Sequence, residues 1–196
     1  MTGQEEVVSN QIEEAIALKR DLQRQARLLI TIADVLARAF RGGNKVVLFG
    51  NGGSAADAQH IAAELAGRFC IERNSLPAIA LTTNSSVLTA VANDFGYDKV
   101  FVRQLEGLLA KGDVAVGIST SGNSPNVLLA IEEAKRRGAV TIAFTSDQGK
   151  LKNLAHHSLC IPSSDTARIQ EAHITAGHII CYLVEQSLFG NVVDDK

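Results

Sequence analysis

Five short stretches of the chain are almost wholly apolar: 45–50 (KVVLFG), 77–81, 114–118, 140–145 and 158–161. A strand that is apolar on both of its alternating faces must be covered on both sides, whereas a half-exposed strand alternates apolar with polar. Helical patterns separate the five, at 54–70, 85–109 and 125–137, with a short one near 150–155 and a last one over 167–189. Strand–helix alternation with doubly buried strands predicts an α/β fold, a doubly wound five-stranded parallel sheet flanked by helices. Gly177 falls inside the last helix and should weaken it slightly. With 196 residues and no linker, repeat or low-complexity segment, the expectation is one domain over 1–196.

The residues before the first strand form a helical extension. Positions 4–41 contain neither glycine nor proline, and Val8, Ile12, Ile16, Leu22, Leu29, Ile30, Ile32, Leu36 and Phe40 recur at helical spacing. A single helix there would be about 57 Å long, wider than a small domain. Two helices, or one that leaves its own domain, are expected, with breaks at Ser9-Asn10 or in the polar stretch 19–25. So much apolar helix ahead of the sheet points to an oligomer interface in residues 1–41.

Composition removes several function classes. The net charge is −2, and lysines and arginines are scattered among acids, so no nucleic-acid footprint is present. No apolar run approaches the ~18 residues of a membrane span, and the acidic start MTGQEEVV lacks signal-peptide features. Cys70, Cys160 and Cys181 are distant from one another and form no CxxC pair, which suits reduced thiols in a cytoplasmic protein.

Ligands of doubly wound sheets bind beyond the carboxyl ends of the strands. Two of those ends carry small polar loops, GNGGS (50–54) and STSGNS (119–124). In the first, glycines let backbone approach an anion, and the next helix presents free N–H groups and the positive end of its dipole. The second supplies hydroxyls from Ser119, Thr120, Ser121 and Ser124, followed by Pro125 at a first helical position. Neither loop is a Walker A motif, and GNGGSA is not a dinucleotide fingerprint. Together they favour a sugar phosphate over a helix cap that merely turns the chain.

His60 and Glu64 are four apart on the helix leaving GNGGS, on one face, where they can meet a substrate or metal or simply pair with each other. The last helix adds Gln170, Glu171, His173 and His178. Gln170 and His178 are separated by about 12 Å along the axis and roughly 80° around it. Spacing alone therefore pairs Gln170 with His173.

Four motifs in order, GNGGSAADAQHIAAEL, NDFGYDKVFVRQLE, GISTSGNSPNV and ARIQEAHITAGHII, resemble those of the phosphoheptose isomerases, a family of sugar isomerase (SIS) domain proteins. The resemblance spans nearly the whole chain. It implies interconversion of D-sedoheptulose 7-phosphate and D-glycero-D-manno-heptose 7-phosphate, the first step of nucleotide-activated heptose biosynthesis. By the same resemblance Asn51, Gly52, Gly53, Asn93 and Asp94 bind substrate, and Ser119, Thr120, Ser121 and Ser124 hold the phosphate or its neighbouring hydroxyls. His60, Glu64, Gln170 and His178 match zinc ligands, with Glu64 and Gln170 also touching substrate; this favours His178 over His173. Homotetramers are implied as well. The acid that some relatives carry just before RIQE is Ala167 here, with Asp165 two residues earlier.

Aldose–ketose interconversion moves a proton between C1 and C2 through an enediolate. The expected roles are Glu64 as base and His178 as acid across the two oxygens. Glu64 cannot be a tight zinc ligand and a free base at once; either it exchanges roles during turnover or the metal takes the place of the substrate oxygens. Two readings compete: a SIS-domain adaptor that binds the bacterial replication initiator, and a sugar-phosphate sensor. Neither explains Glu64 together with His178.

Overall fold

The computed structural model describes residues 2–190. All five strands form: β1 (Val46–Gly50), β2 (Ala78–Ala80), β3 (Val114–Ser119), β4 (Val140–Ser146) and β5 (His157–Ile161). They are parallel throughout, in the order β2-β1-β3-β4-β5. The helices are α1 (Gly3–Arg24), α2 (Ala26–Arg41), α3 (Gly53–Ala66), α4 (Ser85–Phe95), α5 (Val102–Leu108), α6 (Pro125–Arg136) and α7 (Thr166–Phe189).

Alternation along each strand divides the core in two. On one face Leu48, Val116, Ile142, Phe144 and Leu159 pack against Leu29, Ile32 and Leu36 of α2, Ile61 and Leu65 of α3, and Ile169 and Ile180 of α7. On the other, Val47, Phe49, Ala115 and Ala143 meet Leu105 of α5 and Val127, Ala130 and Ile131 of α6. Each fully buried Leu, Ile or Phe contributes roughly 2 kcal/mol relative to exposure.

The strands match the apolar stretches, and the departures have local causes. β2 is shorter than 77–81 because it is an edge strand, paired only with β1, and Pro77 has no N–H to donate. The expected helix over 85–109 is two: Gly96, at φ +89°, ends α4, and a 3-10 turn at Tyr97–Lys99 leads into α5. α3 stops at Ala66 rather than 70, and the short helix near 150–155 is a 3-10 turn at Leu151–Asn153. At the N-terminus the break falls at Gln25, inside the polar stretch, while Ser9-Asn10 lies within α1.

α2 buries Leu29, Ile32, Ala33 and Leu36, one stripe at helical period. α1 buries only Leu22 and leaves Val7, Val8 and Ile12 more than half exposed. Where the two helices meet α7, a groove of about 340 Å³ is lined by Leu22, Ala26, Leu29, Ile30, Ile179 and Leu183. No described helix is long and apolar enough to cross a membrane.

The strand order places the site. From β1 the chain steps outward to β2, and from β3 it steps the other way to β4 and β5. Connections diverge at the β1–β3 boundary, so the loops that follow these two strands border an open crevice, the topological switch point. Those loops are GNGGS and STSGNS.

Candidate active site

Helix starts distinguish the switch point from the rest of the sheet. Four helices follow a strand directly. Two are capped by side chains: Asn84 accepts from Val87 N–H on α4, and Asp165 accepts from Ala167 and Arg168 N–H on α7. The other two, α3 and α6, begin at the switch point and have no side-chain cap. Ser54, Ala55, Val127 and Leu128 N–H bond to nearby backbone carbonyls and Pro125 has no N–H, so what faces an anion is the positive dipole end of each helix with the Gly53 and Asn126 amides.

The second loop gathers hydroxyls rather than spending them on capping. Ser119 Oγ lies 3.0 Å from Ser124 Oγ and 3.4 Å from Ser121 Oγ. Thr120 is half-buried beside them. The two loops are braced by a reciprocal amide pair, in which Asn51 Nδ2 donates to Asn126 Oδ1 and Asn126 Nδ2 donates to Asn51 Oδ1, both at 2.9 Å. Tyr97 OH donates to Asn51 Oδ1 at 3.1 Å. The Asn51 side chain is thereby held within the protein. Asn126 and Tyr97 are not singled out by the sequence reading, although they fall within the motifs GISTSGNSPNV and NDFGYDKVFVRQLE. Asn93 and Asp94 are exposed on the last turn of α4, bonded to each other at 2.8 Å, three and four residues before Tyr97.

α7 closes the site by packing alongside α3. At the start of the pair, the Gln170 amide lies so close on Gly53 that a Cβ there would stand 2.2 Å from Nε2 and 2.8 Å from Oε1. Two turns on, a Cβ at Gly177 would stand 2.7 Å from Ile61 Cδ1. At Gly53 the missing side chain makes room for the Gln170 amide, and at Gly177 it lets the helices approach beside His60 and His178. Gly177 thus serves the packing of α7 on α3 as well as costing helix propensity.

At that level three ligand atoms converge. His60 Nε2 is 3.1 Å from Glu64 Oε1 and 3.0 Å from His178 Nε2. One ligand atom from each of the three residues falls within a 4.8 Å cluster. The imidazoles meet edge to face, centroids 4.9 Å apart. A neutral His60 has at most one proton on Nε2 and cannot satisfy both neighbours. A divalent cation would satisfy all three. Two imidazoles and a carboxylate are a common donor set for zinc, and tetrahedral bonds of about 2.1 Å separate neighbouring ligand atoms by about 3.4 Å. The cluster fits a metal, with Gln170 two turns away at the loop.

His173 stands apart. It is fully buried, its Nε2 is 3.2 Å from the Thr145 carbonyl oxygen, and its Nδ1 has no partner. Burial pushes its imidazole down to about 4, although the Thr145 carbonyl opposes the shift. A neutral ring donating to the end of β4 is a packing element under the second loop, so the spacing that paired Gln170 with His173 reads helix geometry correctly but misses the side chain's direction. Asp57, one turn before His60, is half-buried with an unpartnered Oδ2; desolvation raises it to about 6 against the pull of His60.

Comparison with known proteins settles the kinship. A SIS domain model matches residues 11–146. The phosphoheptose isomerase of Aquifex aeolicus (strain VF5) is 57% identical over 162 residues, 82% of this chain and 85% of that one. The chain belongs to the phosphoheptose isomerases of the SIS domain family. The phosphoheptose isomerase of Roseiflexus sp. (strain RS-1) is 50% identical over 184 residues, 93% of each chain. In three dimensions the phosphoheptose isomerase from Neisseria gonorrhoeae superposes with a TM-score of 0.88 at 40% identity, covering 93% of this chain and 99% of that one.

Proposed function

We propose that this phosphoheptose isomerase converts D-sedoheptulose 7-phosphate to D-glycero-D-manno-heptose 7-phosphate, the entry to nucleotide-activated heptose. The observation that carries the reading is the convergence of His178 from α7 on His60 and Glu64 of α3, the helix that leaves the GNGGS loop at the switch point.

The phosphate lies among Ser119, Thr120, Ser121 and Ser124 at the positive N-terminal end of α6, with the Asn126 amide beside them. Asn51, Gly52 and Gly53 face the sugar through backbone, with Asn93, Asp94 and Gln170 at its hydroxyls. Glu64 turns Oε1 to His60, and no described hydrogen bond engages Oε2. That oxygen takes the proton from C1 of the ketose and returns it to C2, on one face of a cis-enediolate. His178 accepts the O1 proton and delivers one to O2, so the carbonyl moves from C2 to C1 with no net change in protons. His60, Glu64, Gln170 and His178 would hold zinc between turnovers, with Glu64 and His178 exchanging that role for base and acid when substrate is bound. Bound there, zinc supplies Lewis-acid polarisation of the substrate oxygens.

Assembly belongs to the same reading. The exposed stripe Val8–Ile12 and the apolar groove between α1, α2 and α7 support a homotetramer built on residues 1–41. The charge balance and the absence of paired cysteines support a cytoplasmic enzyme with small-molecule substrates.

The test is NMR of the purified chain with sedoheptulose 7-phosphate in D₂O, with and without a chelator. The expected product is aldoheptose phosphate carrying deuterium at C2, formed more slowly with chelator. Saturable binding with no turnover, zinc included, would move the assignment to an adaptor or sensor.

A further inference from the structure

Behind the histidine cluster sits an ion pair that the reaction does not use. Glu185 is fully buried, and the Arg73 side chain is 1% exposed. Glu185 accepts from four donors: the backbone N–H groups of Phe69, Cys70 and Ile71 at 2.7–2.9 Å, and Arg73 Nε at 2.9 Å. Three successive amides folded around a carboxylate form an anion nest. Arg73 turns its remaining donors to carbonyl oxygens, Nη1 to Gly67 and Asn74 and Nη2 to Glu64. Burying both charges is costly, and a buried pair is weak evidence for stability in itself. Its geometry shows what it holds.

Three features tie the pair to the cluster. Glu185 lies seven residues after His178 on α7, nearly two full turns, so both project from one face of the helix. Phe69 spans the gap: its N–H is bonded to Glu185, and its ring stacks on His178 with centroids 5.6 Å apart and planes 24° apart. The His178 imidazole is thereby held between the Phe69 face and the His60 ring. Arg73 meanwhile satisfies the carbonyl of Glu64 itself, one of the last carbonyls of α3, which lack partners inside the helix.

We propose that Arg73, Glu185 and Phe69 form one positioning unit for the candidate site, fixing the ring plane of His178 through Phe69 and the backbone of Glu64 through Arg73. The inference rests on the reading of His178 and Glu64 given above. The unit touches neither phosphate loop, so it acts on the reacting groups and not on substrate capture.

The experiment uses the full chain and three variants, Phe69→Ala, Phe69→Tyr and Glu185→Gln. Zinc affinity is measured by chelator competition, and kcat and KM on sedoheptulose 7-phosphate. Phe69→Ala keeps the backbone N–H in the nest and removes only the ring. It is expected to lose roughly 10–100-fold in zinc affinity and in kcat, the usual penalty for an outer-shell partner, with KM unchanged. Phe69→Tyr keeps the stack and recovers both. Glu185→Gln follows Phe69→Ala; should it fail to fold, Phe69→Ala decides. Zinc affinity and kcat within twofold of wild type in Phe69→Ala overturn the proposal, as does a raised KM with kcat intact. If the wild-type chain turns over without binding zinc, the metal reading falls and kcat alone decides: a loss in Phe69→Ala supports the positioning unit, and no loss overturns it.

Discussion

Adding one methyl group at Gly177 tests how tightly α7 must sit on α3. In Gly177→Ala the new Cβ would stand 2.7 Å from Ile61 Cδ1 and 2.8 Å from Ile61 Cγ1, well inside contact distance. Ile61 is 4% exposed and has little room to turn away. Two effects oppose each other. Alanine improves helix propensity by about 1 kcal/mol, and overpacking a filled core costs about 1–3 kcal/mol. The expected net loss is about 1 kcal/mol, a fall in Tm of roughly 2–4 °C for a chain of this size. The consequence for the candidate site is larger, because the helices separate beside His60 and His178, whose Nε2 atoms are 3.0 Å apart. Calorimetry gives the Tm, and chelator competition gives zinc affinity, which should drop by at least tenfold. A variant with Tm raised by several degrees and unaltered zinc affinity would refute the close-packing argument, since propensity alone would then account for the result.

Other perturbations separate the remaining roles. Glu64→Gln keeps the side chain's shape and removes its basicity; kcat should fall by roughly 10²–10⁴ with the circular dichroism spectrum unchanged, and near-normal turnover would remove Glu64 from the base role. Ser124→Ala deletes a hydroxyl that caps nothing; losing one hydrogen bond to a charged phosphate should raise KM about tenfold or more with little change in Tm, and an unchanged KM would place the phosphate elsewhere. His173 is neutral in the fold, at about 4 against an ordinary 6.5. The unfolded chain therefore binds the extra proton between those values, and stability contributed by the neutral ring is complete above pH 6.5 and lost as pH falls toward 4. The loss is about 3 kcal/mol. Urea titrations of His173→Gln should show a correspondingly smaller drop than wild type across that window, and parallel curves would contradict the burial argument.

The strands were legible because a doubly covered parallel strand leaves few alternatives to an apolar run, and β1, β3, β4 and β5 fall where KVVLFG and its counterparts predict. The helix boundaries were less so. A helix over 85–109 would hold Gly96 in its interior, and its positive φ is what ends α4 there. In the candidate site, local spacing found His60 with Glu64 and the hydroxyl loop. It could not show that residue 178 meets residue 60, because that contact depends on how α7 lies on α3 and on the glycines that permit it. The buried Glu185 was equally hidden: on the sequence it is one acid in an apolar helix, and its partners come from a segment more than a hundred residues earlier.

The contact between His60 and His178 spans 118 positions of sequence. Both loops at the switch point are made from the first two-thirds of the chain, whereas His178, Gln170 and Glu185 arrive with its final helix. A polypeptide cut short before α7 would carry His60 and Glu64 but neither His178 nor the α7 side chains that cover one face of the sheet. The three-residue cluster therefore closes only when the last helix of the chain packs on α3.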